Sequence, residues 1–213
     1  MNTPAENMQN EIQGEIQTWL NNCWPNQHEK WLQGEEIPHA DVVQSFINYF
    51  VADRPANHLP EYLLHLSHWP FLQLSRTIAK ATCEQTTIKN ISIQSQTLST
   101  LIHAAVDLGF ARYVFNATLA EVRQRQTFGM ALIRNQHVEF NLAELQATIF
   151  AFEAWWELTN ENRDQLCTHE SFTQLSNPLL KKLADQYLQF SGGRGYMQGH
   201  PAERVFREVF LED

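Results

Sequence analysis

Two long apolar seams constrain this chain most. Leu101, Ala104, Leu108, Ala111, Phe115, Thr118 and Val122 step by three and four in alternation, and only the threonine is polar. Val138, Leu142, Leu145, Ile149, Phe152 and Trp156 continue the same rhythm in a second run. Apolar residues at that spacing line one face of an α-helix, so each run predicts a long helix packed against other helices. Only a short connection around Phe128-Gly129 separates them, which makes the two helices antiparallel neighbours. Asn177-Pro178 reads as an N-cap and first turn, with Leu180, Leu183, Tyr187 and Phe190 following on one face. That helix is expected to stop at Gly192-Gly193, and His200-Pro201 to open a last one carrying Val205, Phe206, Val209 and Phe210. The expected fold is all-α: an antiparallel four-helix bundle over 91–213, preceded by a small helical segment and linker over 1–90.

The first ninety residues carry shorter signals. Ile12, Ile16, Trp19 and Leu20 share a face between Asn10 and Asn22. Asp41 is placed to cap a helix bearing Val42, Val43, Phe46, Ile47 and Phe50. Residues 52–60 form a turn-rich connection, Glu61 to Trp69 a short helix closed by Pro70, and Phe71 to Ala81 a further one. Thr86–Gln96 is the one strand-like stretch, with Ile88, Ile91 and Ile93 nearly alternating, and is read as an extended linker.

Composition narrows the partners. Net charge is -9 with no basic patch, which argues against nucleic acid, and no apolar run reaches the ~20 residues that span a bilayer. Cys23, Cys83 and Cys167 are odd in number, far apart and outside any CxxC spacing, and the polar N-terminus lacks a leader pattern, so a cytoplasmic setting is expected. His65 and His68 share a helical face but lack a third ligand, so no metal site is assigned. Trp155-Trp156 read as core and interface area, and His103 and His137 as ordinary polar positions.

Two motifs remain. Arg125-Gln-Thr-Phe-Gly129 is followed by Asn135-Gln136 and Leu142-Ala143. Gln189-Phe-Ser-Gly-Gly-Arg-Gly-Tyr196 is followed by Pro201-Ala-Glu-Arg204 and Arg207-Glu208. An arginine offers a planar fork for a pyrophosphate, a threonine a hydroxyl, a phenylalanine a face for an adenosine ring, and paired glycines allow close approach to backbone N–H groups. On the residues alone, Phe128-Gly129 is also a plain turn, Gly192-Gly193 a helix C-cap, and Arg125 a solvated charge.

Together, in this order and on this helix pattern, the motifs resemble the helical C-terminal domain of the acyl-CoA dehydrogenases, from about Leu101 onward. Glu15-Ile-Gln-Thr-Trp-Leu20 bears a weaker likeness to the family's opening helix. The resemblance implies that Arg125, Thr127, Phe128, Gln136, Gln189, Gly192 and Gly193 contact FAD, and that this FAD is held mainly by a neighbouring subunit. Departures accompany it. The stretch ahead of the bundle is too short for the family's β-domain, since a sheet needs several strands of ~5–6 residues. The catalytic glutamate that most members carry after the last motif would fall about three residues beyond Asp213. The alternative position, near the start of the first bundle helix, falls at Ser99. Glu208 and Glu212 match other motif positions, so no catalytic residue is assigned.

The expectation is an acyl-CoA dehydrogenase-like subunit, inactive alone, that supports FAD binding in a full-length homologous partner as part of a homodimer or hetero-oligomer. Acyl-CoA or an acyl-carrier is a possible ligand. A non-enzymatic homodimeric scaffold and one part of a split, active FAD-dependent dehydrogenase remain as alternatives.

Overall fold

The computed structural model describes residues 4–23, 39–51, 59–66, 72–88, 94–161 and 169–210. Its helices are α1 (Pro4–Cys23), α2 (His39–Phe46, continued by a π-helical turn Ile47–Val51), α3 (Leu59–Leu66), α4 (Leu72–Ile88), α5 (Gln94–Gln124), α6 (Gln136–Glu161), α7 (His169–Ser191) and α8 (Pro201–Phe210). The strands described are β1 (Gln126–Thr127) and β2 (Met130–Ala131), an antiparallel hairpin between α5 and α6. The all-α expectation holds, and among the described residues no helix is long and apolar enough to cross a membrane.

The 31-residue helix α5 is the axle of the fold, with α3, α4, α6 and α7 all packed against it. Its sequence explains this position. From Ala104 to Ala111 every residue is buried, so this stretch of the helix is covered on all sides and needs neighbours all round, Asp107 being its one charged member. The one polar seam residue, Thr118, is fully buried and donates its hydroxyl to the Val114 carbonyl at 2.7 Å, so it leaves no orphan group. Trp156 Nε1 on α6 donates to the Leu101 carbonyl at 3.1 Å, which fixes the two seams against each other.

A buried polar junction locks three helices. Asp107 of α5 accepts from Ser176 of α7 at 2.6 Å through Oδ2, and from Arg76 of α4 at 3.2 Å through Oδ1. Nearer the N-terminus, Trp19 of α1 meets Phe46 and Phe50 edge-on at ring separations of 5.4 and 5.7 Å, and Phe50 meets Tyr62 of α3 at 5.1 Å. These rings join the same continuous apolar core as the bundle seams. The boundary expected at residue 90 falls among residues 89–93, outside the described residues.

Two local expectations are corrected. Thr86–Ile88 end α4, and Gln94–Gln96 open α5, so both ends of the strand-like stretch are helical. Its β-branched residues are outweighed by the helical seam before them, in which Leu72, Ser75, Ile78, Ala79 and Thr82 are buried. The other correction concerns Asn177-Pro178, which lies inside α7 rather than at its start. Proline removes one backbone donor, but here it sits on the exposed face. Phe172, stacked on Trp155 at 4.6 Å, and Ser176, bound to Asp107, hold the preceding turns on the core. Shorter shifts also occur: α1 begins at Pro4, α3 spans Leu59–Leu66 and α4 reaches Ile88. Pro25, Pro70, His68, Cys167 and Glu212 lie outside the described residues.

Candidate functional site

The first motif folds as a β-hairpin whose two-residue turn is Phe128-Gly129, with φ of +53° and +77°. Positive φ at both central positions defines a turn twisted to match its strands. Glycine adopts it freely, but a bulky residue there is an outlier that stores strain. The Phe128 ring is also fully exposed, at 102% of its reference area. The chain therefore bears a strained backbone and forgoes burial of an aromatic ring at one position, and a ring buried elsewhere would contribute about 1.5–3 kcal/mol.

Arg125, just before β1, links the hairpin to the second motif. Its Nη1 donates to the Phe190 carbonyl at the end of α7. Gly192 follows with φ +64°, and a Cβ built there would lie 2.7 Å from Arg125 Cζ. Glycine at Gly192 thus serves two needs: a left-handed backbone after the helix, and room for the guanidinium across it. A 3₁₀ turn, Gly192–Tyr196, continues the chain, and Gly193 in it faces open space. The guanidinium carries five N–H groups, and its hydrogen bond to Phe190 occupies one of them.

The other expected residues are placed less tightly. Thr127 is half-buried on β1. Gln136 is exposed at the first position of α6, where Asn135 caps the helix by accepting from His137 N–H at 3.0 Å. Gln189 is exposed, and its amide donates to Asp185 at 2.7 Å. So Arg125 and Gly192 are brought into contact, Thr127 and Phe128 share their hairpin, and Gln136, Gln189 and Gly193 stand on flanking segments.

Several features of this end were not read from the sequence. Arg194, 71% exposed, approaches Glu121 at 3.4 Å, and Arg134 is exposed after the hairpin. Met130, Tyr196 and Met197 expose more than half their area. Arg194 stood inside the quoted glycine motif; the exposure of the apolar residues had no sequence signal. Burial pushes the Tyr113 hydroxyl up to about 12. Burial also holds Tyr187 well above its ordinary range, with Tyr113 and Glu121 adding to the effect. Both tyrosines are therefore neutral at physiological pH. His200 Nδ1 accepts from Ala202 N–H at 3.1 Å and so caps α8; burial lowers its pKa, Glu121 opposes that, and Arg194 adds to it. Glu208 accepts from the Gln73 backbone N–H at 3.1 Å, which caps the start of α4.

The family model for the acyl-CoA dehydrogenase C-terminal domain matches residues 93–212. The chain belongs to the acyl-CoA dehydrogenase family. A probable acyl-CoA dehydrogenase of Bacillus subtilis is 28% identical over 114 residues, covering 51% of this chain and 30% of that protein. Cyclohexane-1-carbonyl-CoA dehydrogenase of Geobacter metallireducens is 27% identical over 111 residues, covering 49% and 28%. The short-chain specific mitochondrial acyl-CoA dehydrogenase of Rattus norvegicus is 23% identical over 129 residues, covering 58% and 31%. The chain thus spans less than a third of the length of these relatives. No solved structure matches it.

Proposed function

We propose that this helical unit serves an FAD held mainly by another subunit, contributing Arg125, Thr127, Phe128, Gln136, Gln189, Gly192 and Gly193 from its hairpin end. On this reading residues 91–213 are the contributing bundle and residues 1–90 complete its core. The observation that carries the proposal is the strained, fully exposed Phe128 beside an arginine that crosses a glycine turn.

The donor set fits one part of such a cofactor. Arg125 has N–H groups left for a pyrophosphate oxygen, and a charged fork of this kind gives stronger hydrogen bonds than neutral donors. Phe128 offers a ring face to a purine. Gly193 has no side chain to keep a phosphate from the backbone. Bound flavin supplies the redox chemistry of the family. The described residues hold, besides helices, one pair of two-residue strands, and none of their carboxylates is assigned as the base that would abstract an α-proton. Glu208, the nearest candidate by motif, is engaged with Gln73. The proposed role is therefore to bind and orient from the side, not to carry out the dehydrogenation alone.

The test is co-purification with a full-length flavin-bearing acyl-CoA dehydrogenase homologue, read by flavin absorbance and native mass. The proposal expects a yellow complex that contains both chains. A colourless protein that ignores added FAD and the homologue alike contradicts it.

A further inference from the structure

Away from the hairpin end, a cleft of about 240 Å³ opens between α5 and α6. Its floor is apolar: Phe115 and Ile149 are only 8% and 4% exposed. Phe150 stands at the rim with 57% of its area exposed. Four polar side chains complete the wall, Arg112 and Asn116 from α5, and Gln146 and Glu153 from α6.

The two helices set the order of these groups. They run antiparallel here, since Trp156 meets Leu101 and the earlier Glu153 meets the later Arg112. Asn116 lies four residues past Arg112 on α5, and Gln146 seven residues before Glu153 on α6. At 1.5 Å per residue the two amides stand about 6–10 Å along the cleft from the ion pair. The cleft therefore has a charged end, an apolar middle and an amide end.

Both ends have hydrogen-bonding capacity to spare. A guanidinium has five N–H groups, and Arg112 uses Nη2 on Glu153 Oε1. Glu153 Oε2 accepts from no described residue, and no other described residue engages the side-chain amide of Asn116 or Gln146. The charged pair is only 23% and 26% exposed, so salt screens it less than a surface pair. Glu157 lies one turn beyond Glu153 on the same side of α6 and is exposed, which draws a cation to this end.

We propose that this cleft binds a zwitterionic aromatic amino acid with a polar group at the far end of its ring, as in tyrosine. The carboxylate accepts from the remaining N–H groups of Arg112, and the ammonium donates to Glu153 Oε2. The ring lies against Phe150 above Phe115 and Ile149, in the offset or edge-on geometry that aromatic pairs favour. The hydroxyl meets Asn116 and Gln146, whose amides can both donate and accept. Charge selects the class of ligand. The cleft carries one cation and one anion, so a ligand with a single charge leaves the opposite group unmatched. Volume selects the size. Pockets for drug-sized ligands run about 300–1,000 Å³, so this smaller cleft suits one amino acid. The proposal stands independently of the flavin reading, because the cleft shares no residue with the hairpin end.

The test is equilibrium dialysis of the full chain against labelled L-tyrosine, with unlabelled analogues as competitors. Saturable binding is expected, with a dissociation constant below about 1 mM. Tyramine lacks the carboxylate and N-acetyltyrosine the ammonium, so each should compete at least about tenfold more weakly than tyrosine. Phenylalanine, which offers nothing to the amide end, should compete several-fold more weakly. Glu153→Gln should lose affinity by removing the ammonium's acceptor. Phe150→Ala, at an exposed position, should weaken tyrosine binding several-fold while leaving the melting curve unchanged. Absence of saturable tyrosine binding overturns the proposal, as does tyramine or N-acetyltyrosine competing as well as tyrosine. A folded Phe150→Ala variant that binds as wild type overturns the placement in this cleft, and phenylalanine competing equally overturns the role of the amide end.

Discussion

Replacing Gly192 by alanine tests the contact that joins the two motifs. The backbone there has φ +64°, which costs an L-residue about 1–2 kcal/mol. The new Cβ would also fall 2.7 Å from Arg125 Cζ. The guanidinium is the far end of a flexible side chain, so it swings away rather than forcing the helices apart. The further cost is then the lost hydrogen bond to the Phe190 carbonyl, about 1 kcal/mol net for a half-buried site. Gly192→Ala should therefore cost about 2–3 kcal/mol in denaturant unfolding. In an Arg125→Ala background the same change should cost only the backbone share, about 1–2 kcal/mol. The difference is a coupling of about 1 kcal/mol in a double-mutant cycle. Equal costs in both backgrounds would refute the reasoning, because the two residues would then not share a contact.

Asp107→Ala should destabilise by about 2–3 kcal/mol, since it leaves Ser176 without its buried acceptor and Arg76 without its carboxylate; urea unfolding with an unchanged midpoint contradicts this. Phe128→Gly should raise stability by about 1 kcal/mol by relieving a positive φ while removing no buried area, and a loss in thermal melting counts against the strained, exposed placement. The folded-state pKa of His200 is lowered, so its contribution is complete above the ordinary value of about 6.5 and is lost as pH falls through the folded value. Protonation also removes the acceptor for Ala202 N–H. His200→Gln should flatten the pH dependence of stability below about 6.5, and an identical slope in both proteins contradicts the cap.

The long helices were legible because their apolar residues keep a helical period over many turns. The Leu101–Val122 seam became the central helix, and the Val138–Trp156 seam packed on it as its spacing required. The hairpin turn was legible from Phe128-Gly129, but its strain was not, since φ is not written in residue types. Pro178 misled because a local rule met a tertiary constraint: the Ser176–Asp107 bond spans 69 residues, and no window along the chain contains it. Thr86–Gln96 misled for a related reason: Thr86–Ile88 belong to α4, whose buried seam lies earlier in the chain. The contact of Arg125 with Phe190 and Gly192 was legible only as two motifs. The carbonyl that accepts from the guanidinium belongs to a backbone that any residue could supply.

The central claim is that the hairpin end reaches a flavin bound to another subunit. The most direct measurement is the FAD dissociation constant of the mixed complex with a full-length homologue, compared between wild type and the Phe128→Ala, Arg125→Ala double variant at matched native mass. The account predicts that the double variant still assembles but binds FAD at least tenfold more weakly. Equal FAD affinity in an equally assembled complex would contradict it.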